Sequence, residues 1–104
     1  MELVKSVHEA KSRIFKALAH PTRLYMLEKI YFEAMCVSDL MEGLDADVST
    51  VSRHLSVLKR AGIVEDEKKG TQVFYKLTMP CVLEMLSCVE KEIYDRGVRD
   101  RDRD

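Results

Sequence analysis

The sequence predicts a mainly α-helical domain closed by a small β-hairpin, in the order helix, helix, short helix, helix, hairpin, helix. Three observations carry that prediction. Apolar residues recur at helical spacing through the segments before residue 62. The period then changes: "IVEDEKKGTQVFYKL" has two β-prone arms, Ile63–Val64 and Val73–Leu77, around the turn Lys68–Lys69–Gly70–Thr71. Beyond Pro80 a helical pattern returns. A short helix, a turn and a second helix make a helix-turn-helix unit, and a hairpin directly after it makes the winged variant (α-α-α-α-β-β-α).

Each element has its own signal. Val4, Val7, Ile14, Phe15 and Leu18 mark the first helix over residues 4–18. Pro21 in "AHPTR" stops that helix and suits the first turn of the next. Leu24, Leu27, Ile30 and Tyr31 carry the second helix to about Phe32. "EAMCVSDLMEGL" reads as a short third helix near residues 38–44, with Gly43 close to its end. Asp47 is the expected N-cap of the fourth helix, because its carboxylate can accept the free amides of the first turn. Gly62 is its expected terminator. Pro80 opens a last helix to about Tyr94, with Val82, Leu83, Leu86, Val89 and Ile93 on its apolar side. Residues 1–95 are thus expected to form one domain, and "RGVRDRDRD" (96–104) is expected to be a charged, flexible tail with almost nothing to bury.

The bulk numbers agree. The chain has 104 residues, 46% hydrophobic and 34% charged, with net charge −1. That suits one small subunit with a modest core and no deep catalytic cleft. No apolar run reaches the roughly 20 residues needed to span a bilayer. The N-terminal pattern is amphipathic and lacks a signal peptide's apolar centre, so a cytoplasmic protein without membrane partners is expected. Near-zero net charge argues against a uniformly basic nucleic-acid binder, but its distribution is uneven. Residues 48–62 hold Arg53, Lys59 and Arg60 and no acid, whereas Glu65, Asp66 and Glu67 cluster just beyond.

The fourth helix divides into two stripes. Val48, Val51, Leu55 and Leu58 form the expected buried one, and Ser49, Ser52, Arg53, Ser56 and Arg60 the other. Small hydroxyls allow close approach to base edges and phosphates, and arginine supplies a planar fork for guanine or phosphate. A helix lying in a major groove needs this combination. The candidate DNA contacts are Ser49, Thr50, Ser52, Arg53, His54, Ser56, Lys59 and Arg60 on the helix, with Lys68, Lys69 and Thr71 at the hairpin tip. His54 either touches a phosphate or packs locally, and His20 caps or fills at the helix junction.

"FKALAHPTRLYML", "CVSDLM", "STVSRHLSVLKRAGIV" and "KKGTQVFYKL" together resemble the ArsR/SmtB family of small arsenic- and metal-responsive winged-helix repressors. The resemblance covers about residues 14–78, and the last helix also fits. It implies a homodimer joined by the first and last helices, and a fourth helix presented to each half of an inverted-repeat operator on double-stranded DNA. It further implies release from DNA on binding an inducer. Half-sites roughly 34–36 Å apart would match the twofold symmetry. Two departures bear on DNA reading: Val48 stands where the family often has glutamine, and Glu65–Asp66–Glu67 where basic residues are frequent.

Arsenic-sensing relatives commonly carry Cys-Val-Cys at the third helix, where this chain has Cys36–Val37–Ser38. The last helix adds Cys81 and Cys88. Positions seven apart on an α-helix lie roughly 10.5 Å apart along the axis. A disulfide needs Cα atoms within about 7 Å, and ligands of one zinc-sized ion must each reach about 2.3 Å. Cys81 and Cys88 therefore need partners from elsewhere if the helix includes both. Three readings stand: a soft-metal or metalloid site such as As(III) on Cys36 with Cys81 or Cys88 or both, a thiol redox or persulfide switch, or three small buried hydrophobes. No constitutive cofactor is expected. The last helix carries no histidine, so the zinc pair usual for the family there is absent.

An enzyme is disfavoured: there is no glycine-rich phosphate loop, no HExxH run and no Gly-x-Ser-x-Gly elbow. The function expected is therefore a repressor released from its operator by a thiol-reactive inducer. A winged-helix interaction module that does not bind DNA is the competing class.

Overall fold

The computed structural model describes residues 2–97, with side chains from residue 5 onward. From residue 98 the expected tail lies outside the described residues, as does the side chain of Val4. The elements are α1 (Glu2–Leu18), α2 (Pro21–Phe32), α3 (Val37–Met41), α4 (Val48–Arg60), β1 (Val64–Lys69), β2 (Gln72–Leu77) and α5 (Cys81–Asp95). This is the winged helix-turn-helix order expected from the sequence. No helix among the described residues is long and apolar enough to cross a membrane.

Pro21 is the first residue of α2, where its missing N–H costs nothing. His20 caps that helix: its Nδ1 accepts the Thr22 N–H at 3.1 Å. The apolar faces of α2, α3 and α4 then close on one another. Met26, Leu27, Leu40, Leu55, Leu58 and Ile63 are fully buried there. The methionines Met35, Met41, Met79 and Met85 pack around this centre and fill its irregular edges.

Two elements differ from expectation. The third helix is shorter than residues 38–44 and begins earlier, at Val37. The Asp39 carboxylate accepts the Cys36 N–H at 3.3 Å, which fixes that start. Its end comes early because Gly43 turns to φ +82, where a Cβ would stand 2.8 Å from the Tyr25 hydroxyl oxygen.

The hairpin strands are longer than their apolar arms, and the turn is only Gly70–Thr71. Lys68 and Lys69, expected in the turn, are strand, and the ladder runs unbroken from Glu65↔Lys76 to Lys69↔Gln72. Cross-strand bonding there overrides low β-propensity. The wing also has a rung that sequence patterning did not foresee. Met35 pairs with Tyr75, with N···O distances of 3.0 and 2.8 Å, so the chain entering α3 is tied to the outer edge of β2.

Candidate nucleic-acid interface and thiol positions

Helix α4 is capped at both ends by its own sequence. The Asp47 carboxylate accepts the Thr50 N–H at 2.8 Å, and this bond holds its carboxyl below the usual carboxylate range. At the other end Gly62 takes φ +78. Its N–H reaches the Lys59 carbonyl at 3.0 Å, and the Ile63 N–H reaches the Leu58 carbonyl at 3.0 Å. That paired closure is the Schellman arrangement, with buried Ile63 as its apolar clasp.

Val51, Leu55 and Leu58 are fully buried, as the apolar stripe requires. Val48 is not: it is 57% exposed in the first turn of α4. The opposite stripe faces solvent. Ser49, Arg53, Ser56, Lys59 and Arg60 are exposed, and Thr50 and Ser52 half-buried. The helix carries no acid, so the outer face has hydroxyls and cations only.

His54 has a different setting. Its ring lies 4.4 Å from that of His20, and its Nδ1 is 3.1 Å from Arg23 Nη1. A guanidinium only donates, so Nδ1 accepts and the neutral ring carries its proton on Nε2. Burial lowers the His54 pKa below its ordinary value, and the neighbouring His20, Arg23 and Arg53 push the same way. Arg23 also donates through Nε to the Ala17 carbonyl at 2.6 Å. One guanidinium thus stitches the end of α1 to the middle of α4. The sequence read Arg23 only as part of the helix junction, because arginine is usually a surface residue.

The hairpin is striped with charge. Lys76 meets Glu65 at 3.1 Å, which raises the lysine's pKa, and Lys69 meets Glu67 at 3.6 Å. Lys59 of α4 meets Asp66 at 2.9 Å, with the same effect on its pKa. These pairs are exposed and worth little to stability. They do bring the wing's acids onto lysines, leaving Lys68 at the tip outside any ion pair among the described residues. Thr71 is exposed beside it.

The three thiols are not gathered in one subunit. Cys36 is buried at the N-cap of α3, its Sγ 3.2 Å from Ser38 Oγ and 3.9 Å from Gln72 Nε2. Cys81 and Cys88 are exposed on α5 in the single chain, so the core of one subunit buries Cys36 alone of the three. The helix begins at Cys81, so the axial separation of the pair holds. Among the described residues no group of three or more His, Cys, Asp or Glu side chains is placed to hold a metal ion. The single chain thus does not bring Cys36, Cys81 and Cys88 together.

Known proteins share this architecture. The family model described as "Bacterial regulatory protein, arsR family" matches residues 20–66, which span α2 to the start of the wing. An uncharacterised HTH-type transcriptional regulator of Methanocaldococcus jannaschii is 38% identical over 85 residues, 81% of this chain and 96% of that protein. The arsenic resistance transcriptional regulator ArsR1 of Pseudomonas putida is 42% identical over 65 residues, 62% of this chain and 51% of that protein. The crystal structure of Rv0081 from Mycobacterium tuberculosis superposes with a TM-score of 0.75 at 31% identity, covering 91% of this chain and 95% of that one. This chain belongs to the arsR family of bacterial regulatory proteins and is a winged-helix, DNA-binding regulator of transcription.

Proposed function

We propose that this protein is a homodimeric repressor that reads an inverted-repeat operator with two copies of α4 and releases it on meeting a thiol-reactive inducer. The observation that carries the DNA part is the outer face of α4: solvent-facing, free of acid and aligned by the Asp47 cap. Ser49, Thr50, Ser52, Ser56 and Arg53 face the groove, Lys59 and Arg60 flank it, and Lys68, Lys69 and Thr71 reach the phosphate backbone. His54 braces that helix against α2.

Dimerisation is supported by apolar side chains left uncovered in the single chain. Val7 and Phe15 on α1 are 43% and 52% exposed, and Val89 and Ile93 on α5 are 49% and 40%. A soluble subunit keeps such faces for a partner.

The inducer is a soft metalloid or metal ion, As(III) first, a reading supported by the P. putida relative, which is named for arsenic resistance. It meets the exposed thiols of α5, and its remaining ligands come across the dimer. Thiol oxidation is the second reading, favoured by the lack of a three-donor group within the described chain. One experiment separates these: DNA release by As(III), Cd(II) and peroxide, for the wild type and for Cys36→Ser, Cys81→Ser and Cys88→Ser. Release by As(III) that is lost in a cysteine variant supports the metalloid; release by peroxide alone supports oxidation. A variant lacking all three thiols that still responds refutes both.

A further inference from the structure

A second cationic feature lies beside α4 and outside the face just described. Arg13, Lys16 and Ala17 of α1, Val57 and Arg60 of α4 and Ala61 just after it line an open depression of about 320 Å³. Its charged groups are all positive, and among the described residues none of the three is ion-paired. Lys16 and Arg60 sit in the last turns of their helices, where a cation answers the helix dipole. Arg13 lies more than a turn before the end of α1 at Leu18, so the dipole does not account for the trio. Ala17 and Ala61 are small, which leaves room between the three cations for a phosphodiester.

We infer that this depression is a phosphate-binding site for the DNA backbone, placing Arg13 and Lys16 of α1 in the nucleic-acid interface. The inference rests on α4 being the reading helix. Arg60 belongs to both surfaces: it continues the Arg53 stripe and forms one wall of the depression. The frame is held in register by Arg23, which ties the Ala17 carbonyl to His54 on α4. A phosphodiester seated between α1 and α4 therefore meets cations from two helices that Arg23 holds together. Contacts of this kind anchor without reading sequence.

The test is the salt dependence of binding to a mixed-sequence duplex, measured by fluorescence anisotropy. Arg13→Gln/Lys16→Gln is compared with the wild type, with the charge-keeping pair Arg13→Lys/Lys16→Arg, and with Arg53→Ala. The slope of log K against log salt should fall in magnitude by about two per subunit, and so by close to four for the dimer, in the neutralised pair. It should stay at the wild-type value in the charge-keeping pair. An unchanged slope in the neutralised pair, with Arg53→Ala still weakening binding, overturns this inference alone. Wild-type protein that binds no duplex at any salt overturns both it and the reading of α4. Inorganic phosphate at millimolar concentration is the control for source. If it protects the wild-type protein against heat while the slope is unchanged by neutralisation, the depression serves free phosphate and not DNA.

Discussion

Asp47, Gly62 and His54 show how much of α4 depends on single residues. The Asp47 carboxylate is held below its ordinary range by the Thr50 amide. A depressed carboxyl stabilises the fold above its unfolded pKa, near 3.9, and that contribution is lost as pH falls through the folded value. Asp47→Asn should keep the cap and lose this acid sensitivity, read as melting temperature between neutral pH and pH 3. Gly62→Ala should cost about 1 kcal/mol in chemical denaturation, because alanine is strained at positive φ.

His54 also has a depressed pKa, here because burial and nearby cations disfavour its charged form. Its unfolded value lies near 6.5, so the unfolded chain takes up the proton first as pH drops. Stability should therefore be full above about pH 6.5 and decline below it. Thermal melts at pH 7.5 and 5.5 check this: His54→Gln keeps an acceptor for Arg23 and should show the smaller decline.

At the level of elements, α2 and α4 were legible because their signals coincide. Pro21 with His20, and Asp47 with Gly62, bracket stretches whose apolar residues keep a helical period. α3 was misjudged because five residues are too few to show a period, and its start is set by a carboxylate reaching back to Cys36. The strands were underestimated for a related reason. Glu65 to Lys69 look like a loop, and only their partners on β2 make them strand. The stitch through Arg23 and the rung at Met35 join residues far apart in the chain, so no local pattern announces them. The thiols were found by residue type, but which of them face water depends on tertiary packing. Within α4, Leu55→Ala should cost about 2–5 kcal/mol, since Leu55 is fully buried where α4 meets the core. Arg53→Ala should leave that stability alone and weaken duplex binding by roughly tenfold or more, measured by anisotropy.

For the whole molecule, the decisive surfaces are those the single chain leaves open. Val89 and Ile93 on α5, with Val7 and Phe15 on α1, offer an apolar area with no cover of its own. Val89→Glu/Ile93→Glu should yield monomers in light scattering while helicity by circular dichroism is retained. DNA affinity should fall with it, because one copy of α4 grips only half of a symmetric site.

The rung between Met35 and Tyr75 has a further effect at this scale. A lone two-stranded ribbon offers two raw edges on which other chains can grow by strand addition. Here one edge is already stopped by Met35, and the other is lined by Glu65, Asp66, Glu67, Lys68 and Lys69. Fibril growth from the wing is blocked on both flanks, so concentrated solutions of the protein should stay clear of thioflavin-positive aggregates.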